Sequence, residues 1–585
     1  MPHDTRANQV VFTNKAKCRD CYRCLRNCPV KAIRMSGGQA QVVPERCLAC
    51  GTCIRQCPQG AKSYRMDLER ARELLAGAGP VAASVAPSFA GLLSPARARR
   101  LPSALRRLGF ARVEETAVGA WHVAGQTAEF LRASPARPCV TTCCPAVVEY
   151  VERYRPGRID QLIPLASPMI AHARLLKERL GPTWSVIFIG PCVAKKAEAD
   201  RPRYAGLVDC VLTFEELQEW LDREGIDLDA FEESDFDQTP GPGARFFPVP
   251  GGLARAAGLG TDLLDTDVVA VTGAGEVIEA LDAVAPRADR VLVDALFCPG
   301  GCVNGPAAAW QRPPFDCRRD LIRYAGAPGL VPAPASPGRA DLVTAFAPRD
   351  AAGNERAFSE EQIRAVLAHT GKMSDDDHLN CGACGYSTCR DKALAVLCGM
   401  AESDMCIPHM RRLAENRTDR IIETSPNGIV ILDEKLHIVS INPAFQKMFG
   451  CSLTIAGSRI SCLMDPEPFE RLATGAVSVI DEILAFKTHD LLCRGLFYRL
   501  QDEDRYVGIF VNVSDTAASR RQLDDLRQQT IAQARELLDH QITLAQNIAC
   551  MLGESTAQGE ELVANLMKLA GANSLDAPGD KGLPR

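Results

Sequence analysis

The chain has 585 residues, is 46% hydrophobic and 24% charged, and balances 67 Lys and Arg against 72 Asp and Glu for a net charge of −5. That length exceeds one hydrophobic core, so several domains are expected. The mild acidity offers no electrostatic reason to bind nucleic acid or a membrane surface. No apolar run approaches spanning length, the N-terminus lacks an apolar signal region and Arg99-Arg100 is internal, so a cytoplasmic protein is expected. In such a reducing compartment 25 cysteines read as metal ligands rather than disulfides.

Residues 1–66 carry one pattern twice: Cys18-x2-Cys21-x2-Cys24-x3-Cys28-Pro29, then Cys47-x2-Cys50-x2-Cys53-x3-Cys57-Pro58. This is the two-cluster bacterial ferredoxin signature, in which the fourth cysteine of each run serves the other cluster. Cys18, Cys21, Cys24 and Cys57 are therefore expected to hold one 4Fe–4S cluster, and Cys47, Cys50, Cys53 and Cys28 a second. A zinc ribbon would need longer spacers and has no use for the closing Cys-Pro.

From 76 to 330 short apolar runs alternate with helical stretches, which predicts an α/β domain with parallel strands. Val81–Val85, Trp184–Ile189, Val208–Leu212, Val268–Val271 and Val291–Val293 read as buried strands, and Pro168–Leu180 and Gly275–Val284 as helices. Three cysteine-bearing segments fall in this region: Thr141-Thr142-Cys143-Cys144-Pro145, Gly190-Pro191-Cys192-Val193-Ala194-Lys195 and Phe297-Cys298-Pro299-Gly300-Gly301-Cys302. Cys192 and Cys298 follow predicted strands, where α/β folds build their sites.

A Pro/Ala/Gly-rich stretch at 326–353 reads as a linker. In 354–412 the spacing Cys381-x2-Cys384-x4-Cys389-x16-Cys406 resembles a small 4Fe–4S domain of corrinoid iron–sulfur proteins and redox sensors; a structural zinc site would use the same four ligands. Cys398 reads as a buried thiol, and His378 and His409 as solvated or capping. Residues 415–515 resemble a PAS domain, with Ile421–Asp433 supplying a lead helix and first strand and His437–Phe445 a second strand and helix; Cys451, Cys462 and Cys493 read as packing thiols. Across 516–572, Leu523, Leu537, Leu544, Ile548 and Met551 form a heptad-like seam, a signalling or dimerisation helix.

Together the three central segments resemble the signature loops of the FeFe (iron-only) hydrogenases. The resemblance implies a multidomain α/β and α+β protein: ferredoxin-like domain, FeFe hydrogenase catalytic domain, small 4Fe–4S domain, PAS domain and C-terminal coiled-coil helix. It implies three accessory 4Fe–4S clusters and an H-cluster, a cubane joined to a two-iron subsite. Cys144, Cys192, Cys298 and Cys302 would hold the cubane, with Cys302 bridging; Cys143 would be the proton-relaying thiol. Lys195 and the loop Ala86-Pro87-Ser88 would contact iron-bound cyanide. Gly300 and Gly301 would allow close backbone approach, and Val249-Pro250-Gly251-Gly252-Leu253 resembles a Gly-Gly turn of the fold.

Several positions depart from the family pattern. Methionines are replaced by Gly190 and Leu296, and Met169 stands where a glutamine is expected. Counted without gaps from Cys143-Cys144, the two acids and the serine of the usual proton path become Val123, Gln126 and Ile163. These changes, the PAS domain and the absence of a quinone- or nicotinamide-binding segment resemble the sensory FeFe hydrogenases. The resemblance thus implies a slow, hydrogen-sensing oxidoreductase with hydrogen and protons as substrates, a ferredoxin-like or signalling partner, and a homodimeric state. Two alternatives remain: a metabolic ferredoxin-linked hydrogenase, and a non-catalytic iron–sulfur redox sensor lacking the two-iron subsite.

Overall fold

The computed structural model describes residues 9–134, 136–260, 266–284, 289–308, 312–327, 341–350, 357–475, 477–489, 491–500 and 504–514, with isolated positions 533 and 536 and without the side chains of 415–419. The heptad-like seam and most of the predicted linker lie outside the described residues. The chain divides into two compact units, 1–403 and 404–585.

The first unit begins with a small pseudo-repeated lobe. Strand Val11–Thr13 pairs antiparallel with Lys62–Tyr64, and Ile33–Ser36 forms a hairpin with Gln39–Val42. Each cysteine run winds through left-handed residues at matching positions: Asp20, Tyr22 and Lys31 in the first, Ala49, Gly51 and Gly60 in the second. The backbone thus curls around each set of cysteines in the same way, and the amides of Ala32 and Ala61 donate to the sulfurs of Cys28 and Cys57, both at 3.2 Å.

The central region is built on two parallel sheets. One has the order Arg112–Glu115, Val81–Val85, Ser185–Gly190, Cys210–Thr213; the other runs Val268–Thr272, Leu292–Leu296, Cys139–Val140. Val81–Val85 is buried throughout, as a parallel strand covered on both faces must be. The expected strands are present within two residues at most termini, with one correction: Val268–Thr272 is no buried strand, because it forms the edge of its sheet and Val269 is 39% exposed. Helix Ala117–Ala133 lies backbone-to-backbone on helix Pro168–Leu180; a Cβ at Gly119 would stand 2.6 Å from the His172 amide nitrogen. Only glycine permits that approach.

The last lobe of this unit pairs helix Glu360–His369 with Cys389–Leu397, both opened by capping boxes from Ser359 and Thr388. It docks on the N-terminal lobe. Arg26 donates to the Ala383 carbonyl (3.1 Å), the Met35 amide to the Met400 carbonyl (3.0 Å) and the Gly37 amide to Glu402 (2.8 Å).

The second unit opens with helix Ile407–Thr424 and folds into an antiparallel sheet ordered Ile438–Ile441, Gly428–Leu432, Arg505–Asn512, Leu491–Leu500, Val479–Phe486. Asn442 fixes its first turn: the side-chain oxygen accepts from Ile429 and Phe445, and the amide donates to the carbonyls of Ile422 and Asn427. Phe445, Phe449, Phe469, Phe497 and Phe510 pack edge-on or tilted in the core. Cys493 is buried there, but Cys462 is exposed and is no packing thiol; Cys398, expected buried, is only half-buried.

Candidate metal centres

Strand ends converge between the two central sheets. Ala86-Pro87-Ser88 follows Val81–Val85, Thr116 follows Arg112–Glu115, and Pro191-Cys192 follows Ser185–Gly190. From the other sheet come Thr141–Cys144 and Phe297–Cys302. They line an almost wholly apolar cavity of about 90 Å³, with Ser88, Cys143, Cys144, Cys192, Lys195, Cys298 and Cys302 among its walls. Ala86, Pro87, Ser88, Cys143, Lys195 and the four expected cubane cysteines are therefore brought to one place, whereas Gly300, Gly301 and the 249–253 turn do not line it.

The thiol chemistry fits a cubane with an appended group. Burial, then neighbouring thiols, push Cys192 up to about 12 and raise Cys298 and Cys302; burial also raises Cys144. Four such thiolates need the charge of bound iron to exist together. Ser88 Oγ is fully buried on the cavity wall without a protein hydrogen-bond partner, a polar atom suited to a ligand acceptor. Among the described residues no three His, Cys, Asp or Glu side chains converge on a point where one metal ion could sit; the cysteines of a cubane bind four separate irons.

Lys195 is buried, and its Nζ donates to Ser167 Oγ (2.9 Å), Glu198 (2.7 Å) and, at 3.4 Å, the Cys143 carbonyl. Burial would lower its pKa, but the Glu198 carboxylate more than offsets this and leaves it raised. Donation to a bound group therefore requires the long contact to the Cys143 carbonyl to give way. The Cys143 thiol is pushed well above its ordinary value by burial and then by Asp294. Gly301 has φ +97°, and a Cβ there would overlap the Pro248 carbonyl oxygen; Gly300 (φ +74°) meets nothing within 4 Å. Close approach is thus Gly301's role alone, and it is made to protein backbone. Gly251 (φ +73°) opens helix Gly252–Ala256.

The departures have physical causes. Phe188 fills the space beside Gly190: a Cβ there would stand 2.7 Å from its ring. Val123 and Ile163 are buried hydrocarbon and cannot carry protons.

Asp294 escaped the sequence reading. It is buried four residues before Cys298, accepts from Thr141 and from the amides of Ala254 and Leu253, and has one carboxylate oxygen unpartnered. Burial pushes it up to about 6. Its signal was an acid interrupting the apolar run Val291–Phe297.

In the N-terminal lobe the thiols group crosswise. Cys24, raised to about 11 chiefly by burial, faces Cys21, Cys18 and Cys57. Cys53, raised by burial, faces Cys47, Cys50 and Cys28. The second set adjoins the central site: Arg55 donates to the Asn304 carbonyl at 2.8 Å, and Gly51 lies against Pro306. It also adjoins the docked lobe, where Cys384 shares the electrostatic environment of Lys31 and Tyr386 with Cys28. Cys381 is exposed, Cys384 and Cys389 are half-buried, and the Cys389 amide donates to Asn380 (2.8 Å); Cys406 is buried at the start of helix Ile407–Thr424 in the second unit. His378 pairs with Asp375 at 3.7 Å.

Comparison with known proteins matches four segments of the chain. A 4Fe–4S dicluster domain matches residues 10–58, and the C-terminal domain of the iron-only hydrogenase large subunit matches residues 79–306. An Fe–S cluster domain matches 377–408 and a PAS domain 416–483. The periplasmic [Fe] hydrogenase large subunit of Nitratidesulfovibrio vulgaris is 29% identical over 50% of this chain and 85% of its own length. The NADP-reducing hydrogenase subunit HndD of Solidesulfovibrio fructosivorans is 27% identical over 35% of this chain and 44% of its own. The cytosolic Fe–S cluster assembly factor NAR1 of Vanderwaltozyma polyspora is 35% identical over 15% of this chain and 17% of its own. These matches define a multidomain iron–sulfur protein with a hydrogenase fold. The chain is an FeFe-hydrogenase-like protein that ends its recognised domains with a PAS module. No described helix is long and apolar enough to cross a membrane.

Proposed function

We propose that this chain is a cytoplasmic, hydrogen-sensing hydrogenase. The observation that carries the proposal is the single apolar cavity on which Cys143, four further thiols, Lys195 and the unpartnered Ser88 hydroxyl converge. Cys144, Cys192, Cys298 and Cys302 would hold the cubane of an H-cluster, whose two-iron part supplies heterolytic hydrogen cleavage when bound. Cys143 would hold the transferred proton on Sγ, where burial and Asp294 keep the thiol neutral. Lys195 and Ser88 would orient the group by donating hydrogen bonds, with Ala86 and Pro87 shaping the wall and the apolar lining excluding water.

Electrons would leave through the set of Cys28, Cys47, Cys50 and Cys53, which adjoins the central loop. They would reach the first set (Cys18, Cys21, Cys24, Cys57) and a third cluster on Cys381, Cys384, Cys389 and Cys406. Domain limits of 1–66, 76–330, 354–412, 415–515 and 516–572 suit this division, with the last segment joining two copies. A charge change at the third cluster would bias the PAS module, which follows it directly in the chain. The loss of titratable groups at Val123, Gln126 and Ile163 favours slow turnover, hence sensing over metabolic flux to a ferredoxin-like partner.

Infrared spectroscopy of anaerobic protein matured with the two-iron unit tests this. Carbonyl and cyanide bands that shift reversibly between argon and hydrogen, and that stop responding in C143A, are expected. Their absence after maturation would leave the iron–sulfur redox sensor. Fast turnover would favour the metabolic reading.

A further inference from the structure

The usual family path from the thiol ends in hydrocarbon at Val123 and Ile163, yet the cavity wall holds another polar group. Thr116, the first residue after strand Arg112–Glu115, lines the cavity. Its Oγ1 lies 2.8 Å from Ser84 Oγ, and Ser84 Oγ lies 2.8 Å from His172 Nδ1. His172 Nε2 lies 3.2 Å from Glu114 Oε2, and the other Glu114 oxygen accepts from Arg179 (2.6 Å) and Arg112 (2.5 Å). Thr116, Ser84, His172 and Glu114 are all buried, whereas the side chains of Arg112 and Arg179 are 31% and 38% exposed.

The fold creates this line. Ser84 is the register partner of Glu114 in the adjacent strand, and Glu114 and Thr116, two residues apart, share the face that helix Pro168–Leu180 covers. Gly119 lets that helix approach closely enough to place the His172 ring over the face.

We propose that Thr116, Ser84, His172 and Glu114 form a proton relay linking the central cavity to the surface at Arg112 and Arg179, in place of the lost path; this rests on the hydrogenase reading above. Glu114 is the resident anion: burial would raise its pKa, but hydrogen bonds from His172, Arg179 and Arg112 more than offset it and hold it near about 2. It accepts from Nε2–H, which leaves Nδ1 as the acceptor for Ser84 O–H, and Ser84 in turn accepts from Thr116. A proton arriving at Thr116 Oγ1 displaces the threonine proton to Ser84, and the serine proton moves to Nδ1. No bond between heavy atoms changes. The imidazolium so formed faces the Glu114 carboxylate and passes Nε2–H through it to water at the two arginines, leaving a neutral ring protonated on Nδ1; the return of one proton inward along the same atoms restores Nε2–H, so the chain carries a proton out and a proton back. The chemistry is that of a hydroxyl–imidazole–carboxylate chain.

The test uses full-length, two-iron-matured protein as wild type, S84A, T116V and T116S. Infrared bands titrated under hydrogen should lose their pH dependence in S84A and T116V and keep it in T116S, which restores the hydroxyl. Hydrogen–deuterium exchange should fall by about tenfold or more in the first two. Unchanged pH dependence and exchange in both would overturn the relay. ¹⁵N-histidine resonances of the full chain carrying cubanes only, with His172 assigned through H172F, give an independent reading. An Nε2-protonated, Nδ1-accepting ring is expected, and a ring protonated on Nδ1 overturns the relay. Absence of carbonyl and cyanide bands in the wild type would instead sink the hydrogenase reading, leaving the tautomer to decide the wiring.

Discussion

Two buried acids in the central region are set in opposite directions by their surroundings. Glu114 is depressed from 4.5 to about 2, so its contribution is fully present above pH 4.5 and lost as pH falls through 2. At about 1.4 kcal/mol per unit this is roughly 3 kcal/mol. E114Q is therefore expected to unfold more readily than wild type at pH 7, with the gap narrowing below pH 4.5, as measured by denaturant titration. Asp294 is raised by burial from 3.8 to about 6, so its ionisation opposes folding as pH climbs through that interval. An infrared carboxylic-acid stretch titrating near 6 and missing from D294N is expected; a band gone by pH 4 would contradict it. Neither acid was legible in the sequence. The cysteine runs were, because 4Fe–4S ligation is written in local spacing. Ser84, His172 and Asp294 matter through tertiary neighbours, and a lone histidine on a helix announces no partner.

Among the elements, the loop Phe297–Cys302 carries the sharpest demand. Gly301 combines φ +97° with backbone of Pro248 where a side chain would go, whereas Gly300 shares the positive φ but faces open space. G300A is expected to cost ~1 kcal/mol, and G301A at least ~2 kcal/mol with displacement of Cys302. Iron content and electron paramagnetic resonance should show G301A losing the central cubane while the N-terminal clusters remain; equal behaviour of the two variants would refute the distinction. Five of the seven strands here were foreseeable as apolar runs, two of them followed by site loops, but their order was not, nor were Arg112–Glu115 and Cys139–Val140. The exposure of Val268–Thr272 was not, since an apolar run does not reveal whether its strand ends up central or at the edge.

For the molecule as a whole, the second cysteine set stands between the central loop and the docked lobe. R55M, which removes the hydrogen bond to Asn304 beside Cys302, is expected to slow reduction of the accessory clusters under hydrogen by at least about twofold, with the infrared signature of the central site unaltered. Stopped-flow absorbance follows the first and infrared the second; equal reduction rates would show that electrons leave elsewhere. The domain sequence was readable from composition and motif. The docking of 357–403 on the N-terminal lobe was not, since two of the three contacts named end on backbone carbonyls, of Ala383 and Met400, that any sequence would supply.

The matched left-handed residues of the two cysteine runs carry a consequence for energetics. A duplicated scaffold would give two bound cubanes nearly the same backbone dipoles, so it could not by itself tell electrons which way to go. The difference has to be imposed by what breaks the internal symmetry. At one equivalent position the first run has Lys31, whose ammonium sits on the carbonyls of Leu25 and Arg26 near Cys28, and the second has Gly60. A cation at one member of an otherwise equal pair makes that member the resting place for an electron. Direction of transfer would thus be a property of the asymmetries, and a single lysine opposite a glycine is among the plainest.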